Sequence, residues 1–106
     1  MDNAAIEEMF APLGPVSIRR MFGGKGIYHH GLIMVVEVSG EILLKADEVS
    51  APAFRNAGAR QWCHEGKNGK PVAMPYWSIP DEALDDPEIM GKWLHLAFEA
   101  SLRSRA

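Results

Sequence analysis

The sequence predicts an α+β fold, one mainly antiparallel sheet with helices against it, in the order α-β-β-β-β-α-β-β-α. Short apolar and β-branched segments follow one another between residues 16 and 46, separated by turns rich in glycine. The dipeptide Asn68-Gly69 is a strong hairpin signal. Near the end of the chain, residues 87–103 repeat their apolar positions with the period of a helix. Because the strands are joined by short turns, they must pair antiparallel.

The first element is a short helix. Asp2 or Asn3 is a suitable N-cap residue. The apolar residues that share one face of this helix are Ile6, Met9, Phe10 and Leu13. Pro12, Gly14 and Pro15 end it. A helix of this length depends on tertiary packing to persist.

The first strand, residues 16–22, breaks its own alternation. Val16, Ile18 and Arg20 share a face, and Met21 then falls on the opposite side. Either Arg20 points inward, or a bulge at Arg19-Arg20 resets the register. The sequence leaves both alternatives open.

A glycine-rich stretch, MFGGKGIY at residues 21–28, raises the choice between a phosphate-binding loop and a turn. Nucleotide-binding loops require a helix after the glycines, so that the phosphate meets the helix N-terminus. Here a strand-like segment follows. We therefore interpret Gly23, Gly24 and Gly26 as a structural turn, with positive φ at Gly23, Gly24 or both. An anion-binding nest is the alternative, and we expect no tight nucleotide binding.

Three more strands follow, at residues 26–30, 32–38 and 41–46. The middle one is apolar on both faces, which predicts a central position in the sheet. Ser39-Gly40 then forms a two-residue hairpin turn.

A second helix begins at residues 50–52, where a proline lies near the first helical position, and it ends at Gly58. The last two strands are residues 60–65 and 70–78. Pro71 and Pro75 have the same parity, so both of their missing N–H groups can face away from a partner strand. This pattern indicates that the later strand is an edge strand.

The last helix, residues 87–103, follows an acidic turn. Its polar stripe is narrow, with one residue per turn: Glu88, Lys92, His95, Glu99 and Arg103. The apolar residues cover about 200° of the helix, which exceeds the stripe that one sheet face needs. We therefore expect the protein to form a homodimer or bind a protein partner through this helix, at the flank formed by Met90, Leu94 and Phe98, or through the sheet edge beside it. The alternative is that the first helix covers this flank.

Composition and charge narrow the class of protein. The chain has 106 residues, which predicts a single domain over residues 1–106. A formal net charge of −3 and a pI near 5.7 disfavour autonomous binding to duplex DNA. No apolar run is long enough to span a bilayer, and no basic leader is present. We therefore expect a cytoplasmic protein that makes no membrane contact.

The histidines and the cysteine form no recognisable metal or catalytic motif. His29 and His30 are adjacent on a strand, as are Cys63 and His64, so the side chains of each pair point to opposite faces. The spacing is not that of zinc ligands. We predict no metal, no cofactor and no catalytic residue.

Cations and aromatic side chains near the glycine motif are the candidate binding residues. The set consists of Arg19, Arg20, Lys25, Tyr28, Lys45, Tyr76 and Trp77. If they cluster at one end of the sheet, they can stack on a ligand or clamp an anion. The alternative is ordinary packing and surface charge.

Two segments carry a resemblance to a known family: RRMFGGKGIYHHGLIMVVEVSGEILLKAD at residues 19–47 and PYWSIPDEALDDPEIMGKWLHLAFEA at residues 75–100. Over roughly residues 4–103 the chain resembles the N-terminal domain of the TfoX/Sxy competence regulators. The residues that occupy the family motif are Arg19, Met21, Phe22, Gly23, Gly24, Gly26, Ile27, Tyr28, Leu44, Lys45, Tyr76 and Trp77.

The resemblance implies a sheet-and-helix fold similar to that of type III secretion chaperones, and a link to the regulation of DNA-uptake genes. It supplies no catalytic residues. We therefore expect a non-enzymatic cytoplasmic regulatory or adaptor module that acts through protein contacts. One alternative is a small-ligand or nucleic-acid-binding domain that uses the arginine, lysine and aromatic residues near the glycine motif. An enzyme with Cys63 as nucleophile is another.

Overall fold

The structure, a computed structural model, describes residues 2–21 and 23–105. Its helices and strands, in chain order, are α1 (Asn3–Met9), β1 (Ser17–Met21), β2 (Gly24–His29), β3 (Leu32–Val38), β4 (Glu41–Lys45), α2 (Ala51–Asn56), β5 (Gln61–Glu65), β6 (Pro71–Ser78) and α3 (Pro87–Arg105). Two short 3₁₀ turns precede β6 and α3. The predicted fold class and element order are confirmed.

The six strands form one antiparallel sheet in the order β1-β2-β3-β4-β6-β5. β3 is central, as predicted. The prediction that the strand with Pro71 and Pro75 lies at the edge is wrong, because β6 lies between β4 and β5. β4 pairs only with residues 76–78 of β6, and Pro75 lies opposite a register shift in β5. The sheet therefore accommodates Pro75 at an irregularity of the ladder, and Pro71 opposite Glu65 at the end of β6 that pairs with β5 but not with β4.

β1 is an edge strand and contains no bulge. Its register with β2 runs unbroken from Ser17, opposite Tyr28, to Met21, opposite Gly24, and Arg20 is exposed. The predicted bulge is therefore wrong, whereas Arg20 keeps the side of Ile18, as the other alternative requires, but stays exposed at the outer end of the strand. Of the residues of β1, only Ile18 contacts the main core. The outer end of the strand extends beyond that core.

The register shift lies in the next pair of strands. Ile27 of β2 pairs with Val35 and Tyr28 pairs with Ile33, so Met34 is an extra residue in β3. Met34 and Val35 both belong to the main core. The shift therefore puts two successive side chains of β3 on the same face of the sheet.

One prediction for the glycine motif is confirmed and another is wrong. Gly23 lies in the turn between β1 and β2 with a φ of 69°, which only glycine adopts freely. Gly24 and Gly26 are not in the turn but in β2. A Cβ atom on Gly24 would lie 1.9 Å from the carbonyl oxygen of Glu37. The sheet thus requires this glycine because a neighbouring backbone passes too close for a side chain.

The helices lie against one face of the sheet, called here the helix-covered face. Cross-strand neighbours of β2, β3, β4 and β6 form a buried row along it: Ile27, Val35, Leu44 and Trp77. Ile6 of α1, Phe54 of α2 and Leu94 of α3 are fully buried in the same cluster. The main core therefore fills the space between the three helices and this face.

The opposite face, called here the open face, carries a second apolar cluster. Its buried members are Val36, Leu43 and Tyr76, and the partly buried members around them are Ile33, Val38, Trp62 and Met74. All of these residues belong to strands β3 to β6. Within residues 2–21 and 23–105, no helical residue belongs to this cluster.

α3 lies deep in the main core, and this placement overturns an expectation. Met90 is 6% exposed and Leu94 is fully buried in the cluster that also holds Ile6 and Phe10 of the N-terminal region. These two residues cannot form an interface, and the alternative, burial within the chain, holds. Phe98 is half-buried and packs against the ring of His29 at 4.9 Å. The predicted polar stripe is exposed at every position.

Candidate functional site

Four of the seven candidate binding residues share the open face. Tyr28 of β2 and Tyr76 of β6 point to this side, and Arg19 of β1 lies with its guanidinium 5.0 Å from the centre of the Tyr28 ring. Lys45 is the direct cross-strand neighbour of Tyr76. The strands β1, β2 and β6 therefore bring Arg19 and two tyrosines onto one surface, and Lys45 stands beside Tyr76 at the end of β4, where its ammonium group reaches Ser104 of α3.

The two tyrosines are electrostatically coupled. Tyr76 is 9% exposed, and its burial raises the pKa of its hydroxyl above the usual value, with a smaller contribution from Tyr28. A raised pKa keeps the Tyr76 hydroxyl protonated at neutral pH. Tyr76 thus offers an aromatic ring and a protonated hydroxyl group, not a base.

The other three candidate residues are directed away from the tyrosines, although Lys25 also lines the groove described below. Lys25 reaches α1 on the helix-covered side, where its ammonium group donates a 2.8 Å hydrogen bond to Asn3. Arg20 pairs with Lys25 in the register, so it shares that side. Trp77 is 5% exposed in the main core, with the Arg55 guanidinium 5.5 Å from its ring. The predicted cluster is therefore split by the alternation of side chains along each strand.

A groove runs over the open face, called here the open-face groove, with a volume of about 310 Å³. Its apolar lining comes from Met21, Val36, Val38, Trp62, Met74 and Tyr76. A Cβ atom on Gly26 would lie only 2.6 Å from the sulfur of Met21, so this glycine lets the Met21 side chain lie over β2. The glycine motif therefore shapes the groove.

Sequence reasoning missed Trp62 and Met74 as site residues. Both were placed on strands, and Met74 has the same parity as Tyr76 on β6. Because side chains alternate along a strand, this spacing from Tyr76 could have identified Met74 as a site residue from the sequence. Trp62 had no such signal, because a register shift between Gln61 and Cys63 sets its position opposite β6.

The charges on the open face are unequal. Glu41 of β4 shares the face with Leu43 and Lys45 by alternation, and its carboxylate lies 3.0 Å from the guanidinium of Arg60. No carboxylate of residues 2–21 and 23–105 pairs with Arg19 or Lys45. Lys45 donates instead to the hydroxyl of Ser104 at 3.0 Å. The surface beside the tyrosines is therefore positive.

An ion pair fixes the end of α3 near the site. The guanidinium of Arg103 donates to both carboxylate oxygens of Asp47, just after β4. These hydrogen bonds hold the pKa of Asp47 well below its ordinary value, and Ser50 adds to the effect. Asp47 also accepts from the backbone N–H groups of Val49 and Ser50. The start of α2 and the end of α3 are thus tied to one carboxylate.

Other reactive side chains do not assemble into a site. Cys63 is exposed on β5, beside His64, whose ring packs 6.2 Å from that of Trp62. In the described part of the chain, no group of three or more His, Cys, Asp or Glu side chains could hold a metal ion. None of the described helices is long and apolar enough to cross a bilayer.

The comparison with known proteins gives the family. No protein of curated function matches the chain in sequence. The family model of the TfoX N-terminal domain matches residues 8–101, which include all six strands, α2 and most of α3. That family is a regulatory domain and not a known enzyme family. With nearly its whole length matched, the chain belongs to the TfoX N-terminal domain family.

Proposed function

We propose that this chain is a non-enzymatic cytoplasmic adaptor module of the competence-regulator type, and that it acts through protein contacts made by its open face. The observation that carries the proposal is the apolar cluster of that face, which includes Val36, Leu43 and Tyr76 and receives no residue from a described helix.

The open face differs from an ordinary solvated sheet surface. An antiparallel sheet that faces water on one side normally alternates apolar and polar residues, with the polar ones outward. Here the outward positions of the central strands hold Ile33, Val36, Val38 and Leu43. Met21, at the edge of the same groove, is 43% exposed. Val36 and Leu43 are themselves buried, but Ile33, Val38, Trp62 and Met74 around them are partly exposed, and an apolar patch of this kind is typical of a protein-binding site.

The titratable groups support a role in binding and not in catalysis. Catalytic groups usually show strongly shifted pKa values in a cleft. In the described part of the chain, the resolved pKa shifts fall on Asp47, Arg103 and Tyr76. The first two form an ion pair and the third is buried among apolar side chains. Each shift has a structural cause that requires no reaction.

Site-specific photo-crosslinking in the native cells tests the proposal. A photoreactive amino acid in place of Met74, in the open-face groove, should crosslink one defined protein, which then binds the purified chain. The matched control places the same amino acid at Lys92, which is exposed on α3 and lies outside the groove, and this variant should not crosslink that protein. The proposal fails if Met74 gives no crosslinked protein, or if both positions capture the same set.

A second candidate function is nucleic-acid or small-ligand binding on the same face. The stacking of Arg19 on Tyr28 favours it, because such pairs also receive bases. The net charge of −3 disfavours it. Binding of a single-stranded oligonucleotide that weakens with salt, and that an Arg19→Ala change reduces, would replace the adaptor proposal with this one.

A further inference from the structure

We propose that the occupant of the open face is an extended acidic segment of a partner protein, which inserts apolar side chains into the open-face groove and directs carboxylates to Arg19 and Lys45. This inference rests on the adaptor function proposed above and names the chemistry of the partner.

Charge complementarity is the first argument. The carboxylate of Glu41 on β4 already pairs with Arg60, and Glu37, the acidic residue that lines the groove, is buried opposite Lys25 in the register. Arg19 and Lys45 have no carboxylate partner among residues 2–21 and 23–105. Arg19 lies against the ring of Tyr28, and Lys45 is the cross-strand neighbour of the nearly buried Tyr76 while its ammonium group donates to Ser104. Arg19 is exposed, so a carboxylate of a partner can reach its guanidinium and accept charge-assisted hydrogen bonds from it.

The continuity of the surface is the second argument. Tyr76 lines the open-face groove, neighbours Lys45 directly across the strands and is coupled to Tyr28. Arg19 covers the ring of Tyr28. The apolar groove and the two cations are therefore parts of one surface, so a single segment can contact both.

The size of the groove favours an extended segment over a helix. A helix bound in a groove inserts about four anchor residues along one face. At about 310 Å³, the open-face groove is at the low end of ligand pockets and fills with about one or two large side chains. Met21 and Met74 at its walls are adaptable side chains that can fit more than one such anchor.

Two other occupants fit the surface less well. A second copy docked symmetrically would place Arg19 and Lys45 of both copies in the same contact, where like charges repel. A nucleic acid requires a track of cations along its backbone, whereas Arg19 and Lys45 are two separate cations, and Lys45 already donates to Ser104. An acidic and apolar peptide matches both the charge and the groove.

Selection from a library of short random peptides, with the purified full chain as bait, tests the inference. We expect enrichment of peptides in which Asp or Glu alternates with aliphatic or aromatic residues. Their affinity, measured by fluorescence polarisation, should fall as ionic strength rises. An Arg19→Glu change should weaken binding about tenfold or more, and so should Met74→Lys.

Arg20→Glu is the matched control, because Arg20 is the exposed neighbour on the opposite side of β1. It changes the net charge identically and should alter the affinity by less than about twofold. A double Arg19→Glu and Lys45→Glu variant should select lysine- and arginine-containing peptides instead. Circular dichroism of each variant verifies that it is folded.

Several results would overturn the inference. The first is that the selected peptides lack carboxylates, and the second is that Arg19→Glu and Arg20→Glu lose the same amount of peptide affinity. The third is that a single-stranded oligonucleotide displaces the bound peptide. The fourth is that the chain sediments as a dimer and that Met74→Lys abolishes this dimer. If a protein crosslinks at Met74 through a neutral or basic segment, the inference fails and the adaptor function stands. If nothing crosslinks there, the adaptor function itself fails.

Discussion

The hydroxyl of Ser101 donates a 2.6 Å hydrogen bond to the carbonyl oxygen of Ile33. Ser101 is 2% exposed and lies on α3, whereas Ile33 precedes the extra residue of β3. A bulge leaves backbone groups without their ladder partners, and a buried carbonyl without a partner is costly. The side chain of the helix therefore satisfies the group that the register shift releases.

The Ser101→Ala variant should lose about 1–3 kcal/mol of unfolding free energy, because it leaves that carbonyl unpaired in the core. Chemical denaturation measures this loss. Ser104→Ala, one turn later and exposed, is the control and should change stability by less than about 0.5 kcal/mol. Equal stability of both variants would show that the bond does not stabilise the bulge.

Alanine substitutions should separate the two kinds of glycine in the motif. Gly23→Ala places a side chain in open space at a positive φ and should cost about 1 kcal/mol. Gly24→Ala forces a Cβ atom against the Glu37 backbone and should cost about 3 kcal/mol or prevent folding. Thermal melting of both variants measures the difference. The opposite ranking would refute the close-approach explanation for Gly24.

The stability of the chain should depend on Asp47 in acid. Its pKa is lowered from 3.8 in the folded state, first by the hydrogen bonds from Arg103. The unfolded chain therefore takes up this proton at higher pH than the folded chain. The stabilising contribution is complete above the unfolded pKa and disappears as the pH falls through the folded pKa.

The Asp47→Asn variant keeps an oxygen for the N–H groups of Val49 and Ser50 but removes the charge. Its melting temperature should be lower at neutral pH and should fall less steeply than that of the wild type below about pH 4. Glu48→Gln, a change at the exposed neighbouring carboxylate, should leave the wild-type slope. Parallel curves for Asp47→Asn and the wild type would exclude a contribution of this ion pair.

A glutamate should be tolerated very differently at two positions of α3. Leu94→Glu buries a charge in the main core, where the exposed fraction is zero, and should abolish folding. Phe98→Glu, at a half-buried position beside His29 and His30, should remain folded with a loss of about 2 kcal/mol. Circular dichroism and sedimentation distinguish the two. A folded Leu94→Glu monomer would restore the interface prediction for this flank.

The sequence was sufficient for the succession of elements but not for their arrangement. Dipeptides such as Ser39-Gly40 and Asn68-Gly69 determine local turns, and both lie between paired strands in the structure. The pairing of β4 with β6 joins segments that α2 and β5 separate along the chain. No local pattern encodes such a pairing, so β6 was taken for an edge strand.

The candidate site could be predicted from the sequence only in part, because it too depends on how the elements are arranged. Alternation alone separates Arg19 from Arg20 and Tyr76 from Trp77. It does not tell which of the two faces the helices cover, because β3 is apolar on both. The binding role of Trp62 and Met74 depends on that choice, and the burial of Leu94 depends on where α1 lies against α3.

The outer edge of β1 bears on how copies of the chain behave at high concentration. This strand has five residues, and none of the strands formed by residues 2–21 and 23–105 pairs with its far side. An exposed edge is a template for another strand. Arg19 and Arg20 point to opposite faces of it, so two copies joined edge to edge would bring arginines together above and below the continuous sheet. The repulsion between them works against growth of the sheet into a fibril.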